Sequence, residues 1–195
     1  MTQIHPPSAA PLRDVCLETS AGPKSDVLAV EAPLQLSLNG RRYAVLMRTP
    51  ESHPSSDIDL CIGFLFSEGV IEDLEDVASV GYCSDPLNTH PQNAVIVHLQ
   101  SGARVPNALR SRERATAVSS ACGVCGRMDI DALSPPFPKR IMYPKPDPEF
   151  VRGLPAKLRS HQNLFAQTGG LHGAALFNPD GEYLFSAEDV GRHNA

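Results

Sequence analysis

The sequence lacks a partner for its one Cys-x-x-Cys. "SSACGVCGR" holds Cys122 and Cys125, and no second pair follows to complete a four-ligand zinc site. His161, His172 and His193 are too far apart to supply a paired-histidine half. The His-x-Glu and the Pro-Cys of a zinc deaminase are missing too: Ala121 precedes Cys122, and none of His5, His53, His90 or His98 is followed by that Glu. Other absences exclude whole classes. No apolar run approaches the roughly 20 residues that span a bilayer. "MTQIHPPSAAPLRD" has no charged-then-apolar order of a secretory signal. Excess positive charge is absent, with a net charge of −5 and a pI of about 5.8, so nothing global favours nucleic acid or anionic lipid. Repeats and heptads are absent. A cytoplasmic location is expected, and there the five cysteines are mostly reduced.

What is present divides the 195 residues into four parts. Residues 1–25 are polar, proline-rich and patternless, and are read as a flexible tail. Residues 26–105 are read as a small α+β domain. In it, "PLQLSLNGRRYAVLMRTP" predicts a β-hairpin, with Leu34, Leu36 and Leu38 alternating, Asn39-Gly40 turning, and Tyr43, Val45 and Met47 alternating on the return. "SSDIDLCIGFLFSEG" predicts a helix capped by Ser56 and stopped by Gly69. Ile58, Ile62 and Phe66 lie on one face, with Cys61 and Leu65 beside them. Strands are expected over Val77–Tyr82 and Ala94–Leu99. Residues 106–146 form a loop and linker carrying the Cys pair.

Residues 147–195 open a second domain. A helix begins at Asp147–Pro148, with Phe150, Leu154 and Leu158 on one face and Pro155 expected to kink it or to move its start. Strand, Asn-Pro-Asp-Gly turn and strand follow, and the chain stops where a covering helix is expected to begin. One face of that strand pair is therefore expected to stand open at Ala174, Leu176, Tyr183 or their neighbours. Cys61 is read as a small buried hydrophobe, and Cys16 and Cys83 are unassigned.

Four chemistries fit the Cys pair on residues alone. Zinc wants further ligands. A thioredoxin-like dithiol wants a buried strand before it, which "RSRERATAVSS" does not supply. A redox-sensitive loop and a sulfur-handling thiol remain. For the last, Gly123 and Gly126 remove bulk around Cys122, and Arg110, Arg112, Arg114 and Arg127 stand against one Glu113. Positive surroundings favour the nucleophilic thiolate, and sulfane sulfur exchanges by the attack geometry of thiol–disulfide exchange. The arginines alone equally describe a solvated charged face.

Taken in order, "EAPLQLSLNGRRYAVLMRTP", "DLCIGFLFSEGVI", "SSACGVCGR", "FAQTGGLHGAALF" and "EDVGRHNA" resemble the FdhD-type formate dehydrogenase accessory sulfurtransferases, from about Glu31 to Ala195. The resemblance implies a sulfur carrier. It would take persulfide sulfur from a cysteine desulfurase and pass it to the molybdenum of the bis-molybdopterin guanine dinucleotide cofactor, a transient ligand bound for formate dehydrogenase. Cys122 matches the persulfide-bearing cysteine of that family and Cys125 the second of the pair. The implied fold is α/β (α+β overall), a cytidine-deaminase-like domain, incomplete here, preceded by the small α+β domain. "RHNA" stands where a deaminase carries its zinc histidine and catalytic glutamate, and it has no such glutamate, so deaminase chemistry is not expected. Ala187 stands where many members have arginine. The stretch expected to hold the guanine dinucleotide would lie beyond Ala195.

Cofactor contacts are expected from Arg127, Gly169, Gly170, His172, Arg192 and His193, with no metal ligand. Gly169-Gly170 reads equally as a structural turn, and His172 as a satisfied histidine at a strand edge. Glu188 and Asp189 read best as complements to the dipole of a following helix. A homodimer is one arrangement left open; nucleic acid and membrane are not expected partners. The rival reading is a non-catalytic molybdenum-cofactor chaperone with redox-sensitive thiols.

Overall fold

The computed structural model describes residues 10–50, 52–53, 55–85, 87–101, 117–118 and 146–195. Nine strands and three α-helices are placed among these residues. In chain order they are β1 (Leu12–Thr19), β2 (Gly22–Ala29), β3 (Ala32–Leu38), β4 (Arg41–Arg48), α1 (Ser56–Ser67), β5 (Val77–Tyr82), β6 (Ala94–Leu99), β7 (Ala117–Val118), α2 (Pro148–Arg159), α3 (Asn163–Thr168), β8 (His172–Phe177) and β9 (Tyr183–Asp189). The fold is mixed α+β.

The core belongs to a five-stranded sheet ordered β5-β6-β3-β4-β7. The β3–β4 hairpin turns at Asn39 (φ 50°) and Gly40 (φ 77°), the left-handed pair that a tight hairpin needs. Asn39 also ties the turn to β6: its N–H donates to Val97 O (2.9 Å), and its Oδ1 accepts from the Leu99 N–H (2.9 Å). Central strand β3 buries Leu34 and Leu36 completely, as their alternation predicts. On β4 the inward residues are Ala44, Leu46 and Arg48, not Tyr43, Val45 and Met47. The antiparallel register pairs Leu34 with Leu46 and Leu36 with Ala44, so even-numbered residues share the face that α1 covers. Tyr43, Val45 and Met47 are half-buried, Tyr43 with its ring edge-on to Phe64 of α1.

Helix α1 forms where its periodicity predicts, but rotated. Asp57, Cys61 and Leu65 point inward at four-residue spacing, while Phe66 is exposed. Burying an aspartate is tolerated because Arg48 meets it, and that pair turns the helix face. Its N-cap is Ser55, not Ser56. Gly69 ends it as expected: at φ +69° it donates to Phe66 O (3.0 Å), and Val70 N–H donates to Leu65 O (2.9 Å). This is a Schellman stop, sealed by the buried Leu65 and Val70. Each fully buried leucine contributes roughly 1.5–3 kcal/mol, so the cluster of Leu34, Leu36, Leu46, Leu65, Val95 and Val97 anchors this sheet.

The stretch read as a tail before residue 26 is different. Residues Leu12–Ala29 form an antiparallel hairpin, with Thr19 paired to Gly22. No buried face imposes alternation there, so a reading of periodicity finds none. Thr19 Oγ1 accepts from the Ala21 N–H (3.2 Å) and donates to Gly22 O (2.7 Å), fixing the turn.

In the last third, Asp147 caps α2 by accepting from the Glu149 N–H (2.9 Å), with Pro148 in the first turn. The helix runs through Pro155 to Arg159, where a kink or a later start was expected. One backbone bond is forgone there. Past the proline, Lys157 Nζ holds the helix to Gly181 O (2.6 Å). Phe150, Leu154 and Leu158 are half-buried together, as predicted. Strands β8 and β9 pair antiparallel across the Asn178–Gly181 turn. One of their faces is covered: Tyr183 stacks on His161 (centroids 3.7 Å apart) and meets Phe177 edge-on. The other is open, with Leu176 64% and Phe185 45% exposed and directly paired and Ala174 exposed beside them; Tyr183, on the covered face, still leaves 40% of its surface in water. Residues 190–195 make a turn where the opening of a helix was expected. Among the described residues no helix is long and apolar enough to cross a membrane.

Candidate functional site

Four charged side chains are buried at one seam, where the end of β4 and the start of α1 meet the end of β9: Arg48, Asp57, Glu188 and Asp189. Each has a distinct settlement. Arg48 closes on Asp57 as a fork, Nε to Oδ1 at 2.7 Å and Nη2 to Oδ2 at 2.9 Å, and it also donates to Asn93 Oδ1 (3.1 Å). The Tyr82 hydroxyl donates to the same carboxylate (3.3 Å). Burial and the Asp57 charge push that phenol up to about 12.

Glu188 caps α3, its two oxygens accepting from the Leu164 and Phe165 N–H groups (3.0 and 2.7 Å). The expected dipole role therefore holds in kind, but toward a short helix before the strand pair rather than one after it. Asp189 meets no cation among the described residues. Its oxygens accept from the N–H groups of Thr49 (2.8 Å) and Gly191 (2.6 Å) and from Asn194 Nδ2 (3.1 Å). Burial raises its carboxyl above the usual 3.8, against the lowering pull of these donors, and Glu31 adds to the rise.

Beside this seam lies a polar cleft of about 240 Å³, its open mouth included. Thr49, Ser52, His53, Ser56, Ala187 and Asn194 are among its lining, together with all four buried charged residues. At the mouth, the His53 ring sits edge-on to Phe185 (5.6 Å), with Nδ1 3.7 Å from Asp59 Oδ2. Asp59 in turn accepts from the Ser55 hydroxyl (2.6 Å).

The residues singled out in the sequence fall into three groups. Cys122, Cys125 and Arg127 lie outside the described residues, as do Arg110, Arg112 and Arg114. Gly169 and Gly170 form the end of α3: Gly169 is left-handed (φ +64°) and donates to Phe165 O (2.7 Å), while Gly170 N–H donates to Thr168 Oγ1 (3.1 Å). Their turn role is thereby explained without a ligand. His172, Arg192 and His193 are exposed. His172 is the register partner of Asp189, and Arg192 and His193 lie in the turn that Asp189 and Asn194 hold. None of the three lines the cleft.

Sequence reasoning missed Thr49, the Arg48–Asp57 fork and Asn194. Asp57 carries a signal, an acid in a first turn at an inward helical position, but hydrophobicity alone assigns it to solvent. Asn194 registered only as a missing glutamate. Of the described cysteines, Cys61 is fully buried and desolvation pushes its thiol up to about 12, which makes it the small hydrophobe expected; Cys16 is exposed and Cys83 half-buried. No group of three potential metal ligands gathers among the described residues.

Known proteins resemble the chain as a whole. The sulfur carrier protein FdhD of Anaeromyxobacter dehalogenans (strain 2CP-C) is 42% identical over 193 residues, covering 96% of this chain and 65% of that protein. The sulfur carrier protein FdhD of Streptomyces coelicolor is 40% identical over 191 residues, covering 94% and 64%. The chain thus spans about 65% of the length of the curated relatives it matches. Its fold is similar to the crystal structure of a protein described as a formate dehydrogenase accessory protein from Desulfotalea psychrophila. That likeness has a TM-score of 0.57 at 21% identity, over 94% of this chain and 64% of the other. The FdhD/NarQ family model matches residues 29–195, which takes in the β3–β4 hairpin, the Cys pair and the β8–β9 unit alike, and the chain belongs to that family.

Proposed function

We propose that this chain carries sulfane sulfur for the molybdenum cofactor of a formate dehydrogenase. The observation that carries the reading is the family match over residues 29–195, with the Cys-x-x-Cys inside it. The names of the 42% and 40% identical relatives, sulfur carrier proteins, support it.

The chemistry follows from thiolate exchange. The Cys122 thiolate attacks the outer sulfur of a persulfide on a cysteine desulfurase; the S–S bond breaks, the desulfurase leaves as thiolate, and Cys122 holds the persulfide. Delivery needs sulfur at the sulfide level. Cys125 thiolate attacks the Cys122 sulfur, a Cys122–Cys125 disulfide forms, and the outer sulfur leaves as sulfide toward molybdenum. The two thiols supply the two electrons, and an external thiol resets the pair. Gly123 after Cys122 and Gly126 after Cys125 keep bulk away from that approach.

The cofactor is cargo. Arg127, His172, Arg192 and His193 are proposed to meet it, and the last three are exposed enough to do so. The buried seam is a poor place for its phosphates, because three carboxylates outnumber one engaged guanidinium there. A cytidine-deaminase-like continuation of the β8–β9 unit belongs to the same proposal, as do the division at residues 106–146 and a cytoplasmic location.

Incubation with a desulfurase and cysteine, followed by mass mapping of the persulfide, tests the reading. Sulfur on Cys122 is expected. A chain that never loads, or that loads on Cys16 or Cys83 instead, sinks it and leaves the non-catalytic chaperone.

A further inference from the structure

The turn after β9 is fastened to the end of β4 from both sides. Asp189 accepts from the Thr49 N–H, and Thr49 returns the bond, its Oγ1 accepting from the Val190 N–H (3.0 Å). Asn194 Nδ2 bridges Asp189 Oδ1 and Met47 O (3.1 and 2.6 Å). Segments at least 140 residues apart are joined by three side chains, of which Thr49 and Asp189 are almost wholly buried. Between the pinned Gly191 and the pinned Asn194 stand the exposed Arg192 and His193. A carboxylate suits the centre because three donors converge on it; an amide there would set one N–H against another. The neighbouring guanidinium does not neutralise it, since Arg48 is spent on Asp57, and Glu188 adds a second carboxylate beside it.

We propose that Asp189, clasped with Thr49 and Asn194, is a positioning residue that holds Arg192 and His193 where the sulfur-accepting cofactor meets them. This rests on the reading above, in which those two side chains contact the cofactor. The clasp carries its own signature. Glu31 after β2, Arg48 at the end of β4, His53 and Asp57 at the start of α1, Glu188 on β9, His172 opposite on β8, and Arg192 and His193 beyond are the titratable and charged groups around it. Closed, Asp189 holds its proton more tightly than when exposed to water. The closed state is therefore favoured most at acid pH and loosens as pH rises through the raised carboxyl value.

Amide exchange on the whole chain reads this directly. Opening at Thr49, Val190 and Gly191 is expected to rise several-fold as pH climbs through that range, while Leu36 and Val95 stay flat. Asp189→Asn should abolish the pH dependence and raise exchange at Thr49 about tenfold; Thr49→Val should do the latter at Val190 alone. Thr49→Val and Asn194→Ala also serve should Asp189→Asn not fold. With persulfide loaded on Cys122, transfer to the cofactor should fall about tenfold in the clasp variants, as in Arg192→Ala/His193→Ala, with loading unchanged. Opening at Thr49, Val190 and Gly191 that does not change with pH, once the intrinsic base catalysis of exchange is divided out, overturns the proposal. So does undiminished transfer in the clasp variants when Arg192→Ala/His193→Ala fails. Undiminished transfer in Arg192→Ala/His193→Ala overturns instead the reading on which it rests.

Discussion

Arg48 and Asp57 show how one buried pair can set an element's orientation. Alone, either would be an uncompensated charge in an aliphatic core, and removing one partner of such a pair costs about 3–5 kcal/mol. Arg48→Met is expected to lower the urea midpoint by a loss of that size, and Arg48→Met with Asp57→Leu to recover much of it. The same neighbourhood gives a pH prediction. The folded state holds the Cys61 thiol at about 12 against 9.0 when unfolded. Below 9.0 both states keep the proton; between 9.0 and about 12 only the folded state does. Stability is therefore expected to fall as pH rises through that window, with Tyr82, raised from 10.0 to about 12, adding to the slope. Urea melts from pH 8 to 11 (about three units) check this, and Cys61→Ala should flatten the decline. At the Cys pair, Cys122→Ala is expected to abolish formate dehydrogenase maturation without changing the melt. Cys125→Ala should be milder where an external thiol can replace it. Equal loss in both variants under reducing conditions would remove the proposed division of roles.

Elements were legible in the sequence where a local signal and a buried face coincide. Asn39-Gly40 between alternating leucines, Gly69 after α1, and Asp147-Pro148 before α2 each name a backbone geometry that their residues favour, and each is found. The faces were less legible. Periodicity gives the phase of an apolar stripe, and on β4 and α1 the true phase includes Arg48 and Asp57, which hydrophobicity alone assigns to solvent. The β1–β2 hairpin escaped because it buries neither face, and α3 because its capping residue, Glu188, comes after it in the chain. Gly181 is a test at this scale. It closes the β8–β9 turn at φ +78°, and a Cβ there would lie 2.7 Å from Phe150 Cε2 and 2.8 Å from Lys157 Nζ. Gly181→Ala is expected to cost about 1–3 kcal/mol, from the left-handed backbone and the displaced α2 contact together. A thermal melt measures it, and Gly153→Ala, which meets open space, is the control.

Across the whole molecule the site is legible in composition but not in assembly. Cys122 and Cys125 stand out by spacing alone. The clasp does not, because a threonine amide meeting an aspartate 140 residues away has no periodic or local trace. What does follow from the sequence is the open face of the β8–β9 pair. Leu176 and Phe185 are paired across the strands, and with Leu184 they leave 64%, 45% and 60% of their surfaces in water. Covering a large apolar side chain is worth roughly 1.5–3 kcal/mol, and contiguous patches of this kind drive association. The purified 195-residue chain is therefore expected to self-associate as concentration rises, with the hairpin as the contact. Leu176→Lys with Leu184→Lys should suppress that association in sedimentation velocity. Because both side chains are already exposed, the double variant should keep the parent's melting temperature and its amide protection across Gly173–Ser186. If it unfolds instead, the face is covered in solution and the exposed leucines are part of a core. If it still associates, the contact lies elsewhere, and the edge strand β5 with its exposed Val80 and Tyr82 is the next surface to test.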